Sequence, residues 1–335
     1  MRRVGPFQLN RTYCCDAMRG MRRLPDRSVQ TCVTSPPYWG LRNCDIEGTY
    51  GVNETMEEYL DKMVVLFREV RRVLKPDGTF WLNMNDAYAG GGSKARPGKK
   101  GGGTALFRAD AGNIAGANKA ATGLKPKDLC GLPWRLALAL QADGWWLRCD
   151  IIWYRSNMIP ESAKDRPSRT HQYIFLLTPS ASCYYDREAV RVEERGYLRS
   201  VWRVASHAFR MKRCRTCGVV MTQGAWDKLE PAGERRLGPK TRRFHEDVKD
   251  RICSACATSE WVSHYAGFPE ELIEPCVRSS TGKSHDVVLD PFMGSGTTGA
   301  VALKFRRHFL GFELNPDYVA MANWRTRRTE EEVPE

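Results

Sequence analysis

Asp286-Val287-Val288-Leu289-Asp290-Pro291-Phe292-Met293-Gly294-Ser295-Gly296-Thr297-Thr298-Gly299 reads as a short buried strand, a glycine-rich turn and the first residues of a helix. Glycines after a strand let a ligand approach the backbone. The run His308 to Glu313 supplies a second strand, and its terminal Glu313 has the place and chemistry to hold ribose hydroxyls. Taken alone, Gly294, Gly296 and Gly299 also fit a dinucleotide fingerprint. Their position argues against it, because only one β-α-β unit and a closing helix follow before Glu335. A Rossmann-like sheet then needs strands from the amino-terminal half, so the expected architecture is a circularly permuted α/β fold.

Working outward, the candidate partner strand is Val29 to Val33, followed by Thr34-Ser35-Pro36-Pro37-Tyr38-Trp39-Gly40. Two successive prolines fix φ and hold the preceding residues extended, which gives the carbonyls of Ser35 and Pro36 set directions. Those acceptors and the Ser35 hydroxyl suit the two hydrogens of an exocyclic amine. Tyr38, with Trp39 beside it, offers a flat face on which a base can stack. A Pro-Pro turn with a packed aromatic accounts for the same residues.

Together the two stretches resemble the amino-group DNA methyltransferases in the permuted, beta-class arrangement, where the catalytic motif precedes the S-adenosylmethionine motif. Weaker pieces follow in the family's order: Leu74 to Phe80 entering a strand, Asp150 to Arg155, Asn157 to Ser162, His171 to Leu177, and His264 to Pro269. The resemblance covers nearly the whole chain. It implies an S-adenosylmethionine-dependent methyltransferase sheet with an inserted target-recognition and zinc region. It places Ser35, Pro36, Pro37 and Tyr38 at the chemistry. It places Thr34, Phe268, Asp290, Pro291, Phe292, Gly294, Gly296, Thr297 and Thr298 around the cofactor, with Glu313 on its ribose and Asp16 near its adenine. Asp16 serves equally well as the N-cap of a helix from Ala17 to Leu24. Asn157, Pro160 and Glu161 are expected near the target nucleotide. In the family, Ser at the first motif position mostly accompanies cytosine N4 and Asp accompanies adenine N6, so Ser35 favours cytosine. The implied partner is double-stranded DNA, and the family pattern is compatible with a homodimer and with a cognate restriction nuclease.

Composition agrees with a DNA-facing enzyme. With 335 residues, 42% of them hydrophobic, the chain can bury a sizeable core. It lacks an apolar run long enough to cross a bilayer, and Met1 to Thr12 lacks a secretory apolar segment, so the expected location is the cytoplasm. The formal charge of +13 is concentrated. Ala89 to Lys125 holds seven Lys/Arg against one acid, and His207 to Glu260 twelve against seven. A surplus confined to two segments points to polyanion contact.

The first of these segments has ten glycines in 37 residues and is expected to be a mobile loop, with Lys94, Arg96, Lys99 and Lys100 available to phosphates. Met56 to Leu74 is an amphipathic helix, and Thr79 to Met84 a strand after the Asp77-Gly78 stop. Pro126 to Asp143 is expected to be helical, with Leu129, Leu132, Leu136 and Leu140 as its stripe. Trp145 to Tyr154 and Tyr173 to Leu177 are expected strands. The second basic segment contains Cys214-x2-Cys217 and Cys253-x2-Cys256, two half-sites of a four-cysteine zinc centre, separated by 35 residues that include Arg235, Arg236, Lys240, Arg242 and Arg243. Independent buried cysteines or a redox pair are the alternatives. The expected division is a catalytic half over 1–186, a target-recognition region with the zinc insertion over 187–260, and a cofactor half over 261–330. The sheet should not depend on the thiols. A contrasting possibility is a non-catalytic zinc-ribbon DNA-binding protein on a methyltransferase scaffold.

Overall fold

The computed structural model describes residues 2–39, 48–52, 54–89, 123–158, 161, 163–192, 196–206, 210–229, 251–264 and 267–332. The glycine-rich segment with Lys94, Arg96, Lys99 and Lys100, the arm with Arg235 to Arg243, and Pro160 lie outside these residues, as does most of Leu41 to Asn53.

In chain order the elements are a small hairpin (β1 Arg3–Val4, β2 Phe7–Gln8), β3 Arg11–Cys14, α1 Ala17–Met21, β4 Val29–Thr34, α2 Met56–Val73, β5 Leu74–Met84, α3 Leu132–Ala142, β6 Trp146–Tyr154, β7 His171–Thr178 and β8 Val201–Arg203. There follow β9 Met211–Cys214, β10 Val220–Thr222, α4 Gln223–Trp226, β11 Trp261–His264, α5 Glu270–Ser280, β12 Val287–Asp290, α6 Thr297–Lys304, β13 His308–Glu313 and α7 Pro316–Glu332. Among the described residues, eight strands form one sheet in the order β3-β13-β12-β4-β5-β7-β6-β8. Every adjacent pair is parallel except those made by β7, which runs against β5 and β6.

Alternation in the central strands builds two cores. Cys32, Phe80, Leu82, Leu289 and Leu310 face the layer of α1, α2 and α3, where Tyr59, Phe67 and Leu136 are buried. Their neighbours Val33, Trp81, Val288 and Phe309 face the layer that includes α5 and α6, against Leu272, Ile273 and Val301. A Thr55/Glu58 capping box starts α2, and its buried stripe of Tyr59, Met63, Leu66, Phe67 and Val70 matches the periodicity in the sequence. Among the described residues no helix is long and apolar enough to cross a membrane.

The permutation is visible in the strand order. From β12 the chain crosses to β13 on one side, whereas from β4 it passes through α2 to β5 on the other. Connections that diverge between two adjacent parallel strands open a crevice at their carboxyl ends. Asp290 and Thr34 stand there, each ending its strand.

Several boundaries differ from expectation. β5 first pairs at Leu74 (with Val29), departs over 75–78, and resumes at Thr79 opposite Thr31. α3 begins at Leu132, not Pro126. Gly131 is left-handed at φ 68°, Pro133 occupies the first turn, and the Asp86 carboxylate accepts the Leu132 N–H at 3.1 Å. Leu129 therefore falls outside the helix. It bridges Tyr88 and is 48% exposed. Val201–Arg203 forms the edge strand of the sheet beside β6. A second sheet, in the order β10-β9-β11, carries Cys214 on β9 and runs to His264 on β11.

Candidate active site

The crevice floor is a buried polar knot. Asp290, 2% exposed, accepts the Thr34 hydroxyl at 2.6 Å, the Phe292 N–H at 3.0 Å and the Thr298 hydroxyl at 2.6 Å. One carboxylate thus ties the end of β4 to the end of β12 and the start of α6. Burial raises its pKa to about 6, and the three hydrogen bonds limit the rise. Glu313 closes the neighbouring strand. One of its oxygens accepts the Gly294 N–H at 2.9 Å and the other the Asn315 N–H at 2.8 Å. Burial raises its pKa too, against those same bonds. A carboxylate has about four lone-pair sites, so acceptor capacity remains for a ligand. Gly296 adopts φ 85°, and a Cβ there would stand 2.9 Å from the Ala322 Cα, so α7 packs close against the turn.

Above this floor a cleft is walled by Asp16, Pro291, Phe292, Gly294 and Glu313 together with Ser35 and Pro37. Residues far apart in sequence thus share one wall. Asp16 is both N-cap and cleft residue: it accepts the Arg19 N–H at 2.9 Å and the Tyr50 hydroxyl at 3.3 Å. Phe268 is not among the residues walling this cleft; it is 9% exposed, within the buried cluster that also holds Val33 and Leu272. Thr297 accepts from the buried Arg325 at 2.9 Å, and Thr298 serves Asp290, so both act as struts.

The two aromatics of the early motif separate. Trp39 is 3% exposed and donates to the Glu54 carbonyl at 2.9 Å, which makes it a core residue and removes it from base stacking. Tyr38 is only half-buried, and its hydroxyl is the hub of a network. It receives the Ser35 hydroxyl at 2.9 Å and lies 3.1 Å from Asn83 Oδ1 and 3.3 Å from Gln172 Oε1. Asn83 donates its amide to the Tyr173 carbonyl at 3.1 Å, so its oxygen faces Tyr38. With the tyrosine proton directed to a carboxamide and the serine proton directed to the tyrosine, Ser35 Oγ is left as an acceptor. Asn157 accepts the Ser206 N–H at 2.8 Å, and Glu161 pairs with Arg166 at 2.5 Å.

In the lobe built by β9, β10 and β11 the four cysteines of the two Cys-x-x-Cys pairs come together, with all sulfurs within 4.8 Å of one another. The Cys214 and Cys256 sulfurs are 3.6 Å apart, as are those of Cys217 and Cys253. Each pair sits on a tight turn closed by a left-handed residue, Gly218 at φ 77° and Ala257 at φ 58°. The Gly218 N–H returns to the Cys214 carbonyl at 3.0 Å and the Ala257 N–H to that of Cys253 at 2.8 Å.

The model of the N6/N4 methyltransferase family, described as DNA methylases, matches residues 29–323. The chain belongs to this family. Among curated relatives, the Type II methyltransferase M.Cfr9I of Citrobacter freundii is 41% identical over 96% of this chain and 90% of its own length. M.SmaI of Serratia marcescens, also a Type II methyltransferase, is 36% identical over 93% and 89%. Of solved structures, the cytosine-N4-specific PvuII DNA methyltransferase aligns with TM-score 0.59 at 19% identity over 99% of this chain and 96% of that one. A Thermus thermophilus protein complexed with S-adenosyl-L-methionine aligns with TM-score 0.55 at 22% identity, covering 97% and 94%. Both share the fold. In this DNA methylase, Asn83 and Gln172 meet the Tyr38 hydroxyl and Tyr50 meets Asp16 at the cleft, three contacts that motif reading passed over. Asn83 carried a signal, as a polar residue inside the buried run Thr79 to Met84.

Proposed function

We propose that the protein is a site-specific DNA methyltransferase that moves the methyl group of S-adenosylmethionine to the exocyclic N4 amine of a cytosine flipped out of the duplex. The observation that carries this reading is the junction of β4 and β12, where Ser35 and Pro37 share a cleft with Asp16, Phe292, Gly294 and Glu313. S-adenosylmethionine, when bound, supplies an electrophilic methyl group on a sulfonium. The protein supplies position. Glu313 has acceptor capacity for ribose hydroxyls, and Asp16 with Tyr50 borders the adenine end. Flipping costs a few kcal/mol, offset by stacking on Tyr38 and by hydrogen bonds to the base edge. Ser35 Oγ, its own hydrogen on Tyr38, and the Pro36 carbonyl accept the amine hydrogens. This draws the nitrogen lone pair out of conjugation and aims it into the cleft, so orientation carries much of the catalysis without a covalent enzyme intermediate.

Zinc fits the four-thiol cluster. A tetrahedron of thiolates about 2.3 Å from zinc has edges of about 3.8 Å, close to the 3.6 Å pairs. Cys214, Cys217, Cys253 and Cys256 fill all four positions, which makes the metal structural. The lobe they organise, with the arm between the pairs, belongs to the target-recognition region and meets DNA.

The test has two parts. Calorimetry should detect S-adenosylmethionine binding to the purified protein, and label from a methyl-labelled cofactor should enter duplex DNA. Binding without transfer to any duplex would favour a non-catalytic DNA-binding protein on this scaffold.

A further inference from the structure

The thiol lobe reaches the crevice through side chains that neither motif includes. Arg213 immediately precedes Cys214 on β9, and its guanidinium pairs with the Asp317 carboxylate on the first turn of α7, both side chains about one-quarter exposed. The Asp317 N–H is held by Asn315 Oδ1 at 2.8 Å, and the Asn315 N–H by Glu313 at 2.8 Å. Glu313, Leu314, Asn315 and Tyr318 all wall the cleft. At the other end, the knuckle glycine Gly218 lies against Arg213: a Cβ there would stand 3.3 Å from Nη2. The turn that presents Cys214 and Cys217 therefore also seats the guanidinium.

We propose that the four-thiol centre and the cofactor cleft are energetically linked through the Arg213–Asp317 pair, with Arg213 a positioning residue for the cofactor. The inference rests on the cofactor reading given above. A metal ion fixes the knuckle, the knuckle fixes Arg213, and Arg213 holds the first turn of α7, from which Asn315 orients Glu313. Linkage is reciprocal: if the metal favours cofactor binding, the cofactor favours metal binding by the same factor.

The experiment uses the full chain with zinc and S-adenosylmethionine as probes. Arg213→Ala and Asp317→Asn should each weaken cofactor binding by about three- to tenfold in calorimetry, with zinc content unchanged by elemental analysis. The exchange Arg213→Asp with Asp317→Arg should recover most of that loss. In wild-type protein, saturating cofactor should raise zinc affinity against a competing chelator by the same factor, and in Asp317→Asn it should not. Asp317→Asn is remote from the thiols, so it keeps the test valid if Arg213→Ala disturbs the lobe. Wild-type protein that binds cofactor, with both variants within twofold of it and a zinc affinity indifferent to cofactor, would overturn the linkage alone. Wild-type protein that binds no cofactor would overturn the linkage and the cofactor reading together.

Discussion

The crevice and the four-thiol lobe solve the same problem, fixing polar groups in space, by different physics. At the crevice, Asp290 is buried with three donors on parallel strands whose two faces carry large apolar cores. In the lobe, strands of three or four residues surround a few buried groups such as Met211 and Trp226, and Lys212 and Arg251 lie over the Trp226 ring at 4.4 and 5.6 Å. So little apolar surface does not hold a sheet by itself, and the thiols supply the closure. Geometry at the crevice is therefore a property of the whole fold. In the lobe, on the proposed zinc reading, it is a property of the four-thiol centre, and perturbations should separate accordingly.

The largest effect is expected at the Tyr38 hub. Ser35→Ala and Tyr38→Ala should lower methyl transfer by roughly a hundredfold or more, with cofactor affinity nearly intact in calorimetry. Near-normal turnover in Ser35→Ala would remove the serine from the mechanism. Cys214→Ser with Cys253→Ser should abolish zinc retention and weaken specific DNA binding strongly, while circular dichroism retains most of the secondary structure. Loss of the main unfolding transition would mean that the sheet depends on the lobe.

Trp39→Ala should cost about 3–5 kcal/mol of stability as a core cavity, read by denaturant unfolding. Its neighbour Tyr38, half-buried, should cost much less on truncation. Equal costs would contradict the division of the two aromatics between core and site.

The smallest effect expected is a pH dependence. Because burial raises the pKa of Asp290 to about 6, the native state binds a proton between pH 4 and 6 that the unfolded chain has released. Ionisation of this group therefore costs native stability as pH rises through that window, on the order of 3 kcal/mol at pH 7. Asp290→Asn, whose amide can donate to Thr298 while Thr298 turns to the Val33 carbonyl, should lack that dependence. Parallel melting curves for both proteins from pH 4 to 8 would reveal it.

What could be read from the residues follows the same division. The central strands, α2 and both long motifs are local patterns, and all were legible. The start of α3 was not, because its cap is Asp86, a carboxylate from the end of β5 brought in by tertiary structure. The core placement of Trp39 depends on the Glu54 carbonyl, and the cleft role of Tyr50 on Asp16, again contacts that no local pattern encodes. The thiol spacing announced the lobe but not its third strand, which lies beyond the last cysteine.

The central claim is tested most directly by the identity of the modified nucleoside. Duplex DNA treated with the protein and S-adenosylmethionine, digested to nucleosides and resolved by mass spectrometry, should yield N4-methylcytosine, and the yield should vanish with Ser35→Ala. N6-methyladenine in its place would contradict the assignment of the amine, and unmodified DNA would contradict the assignment of the reaction.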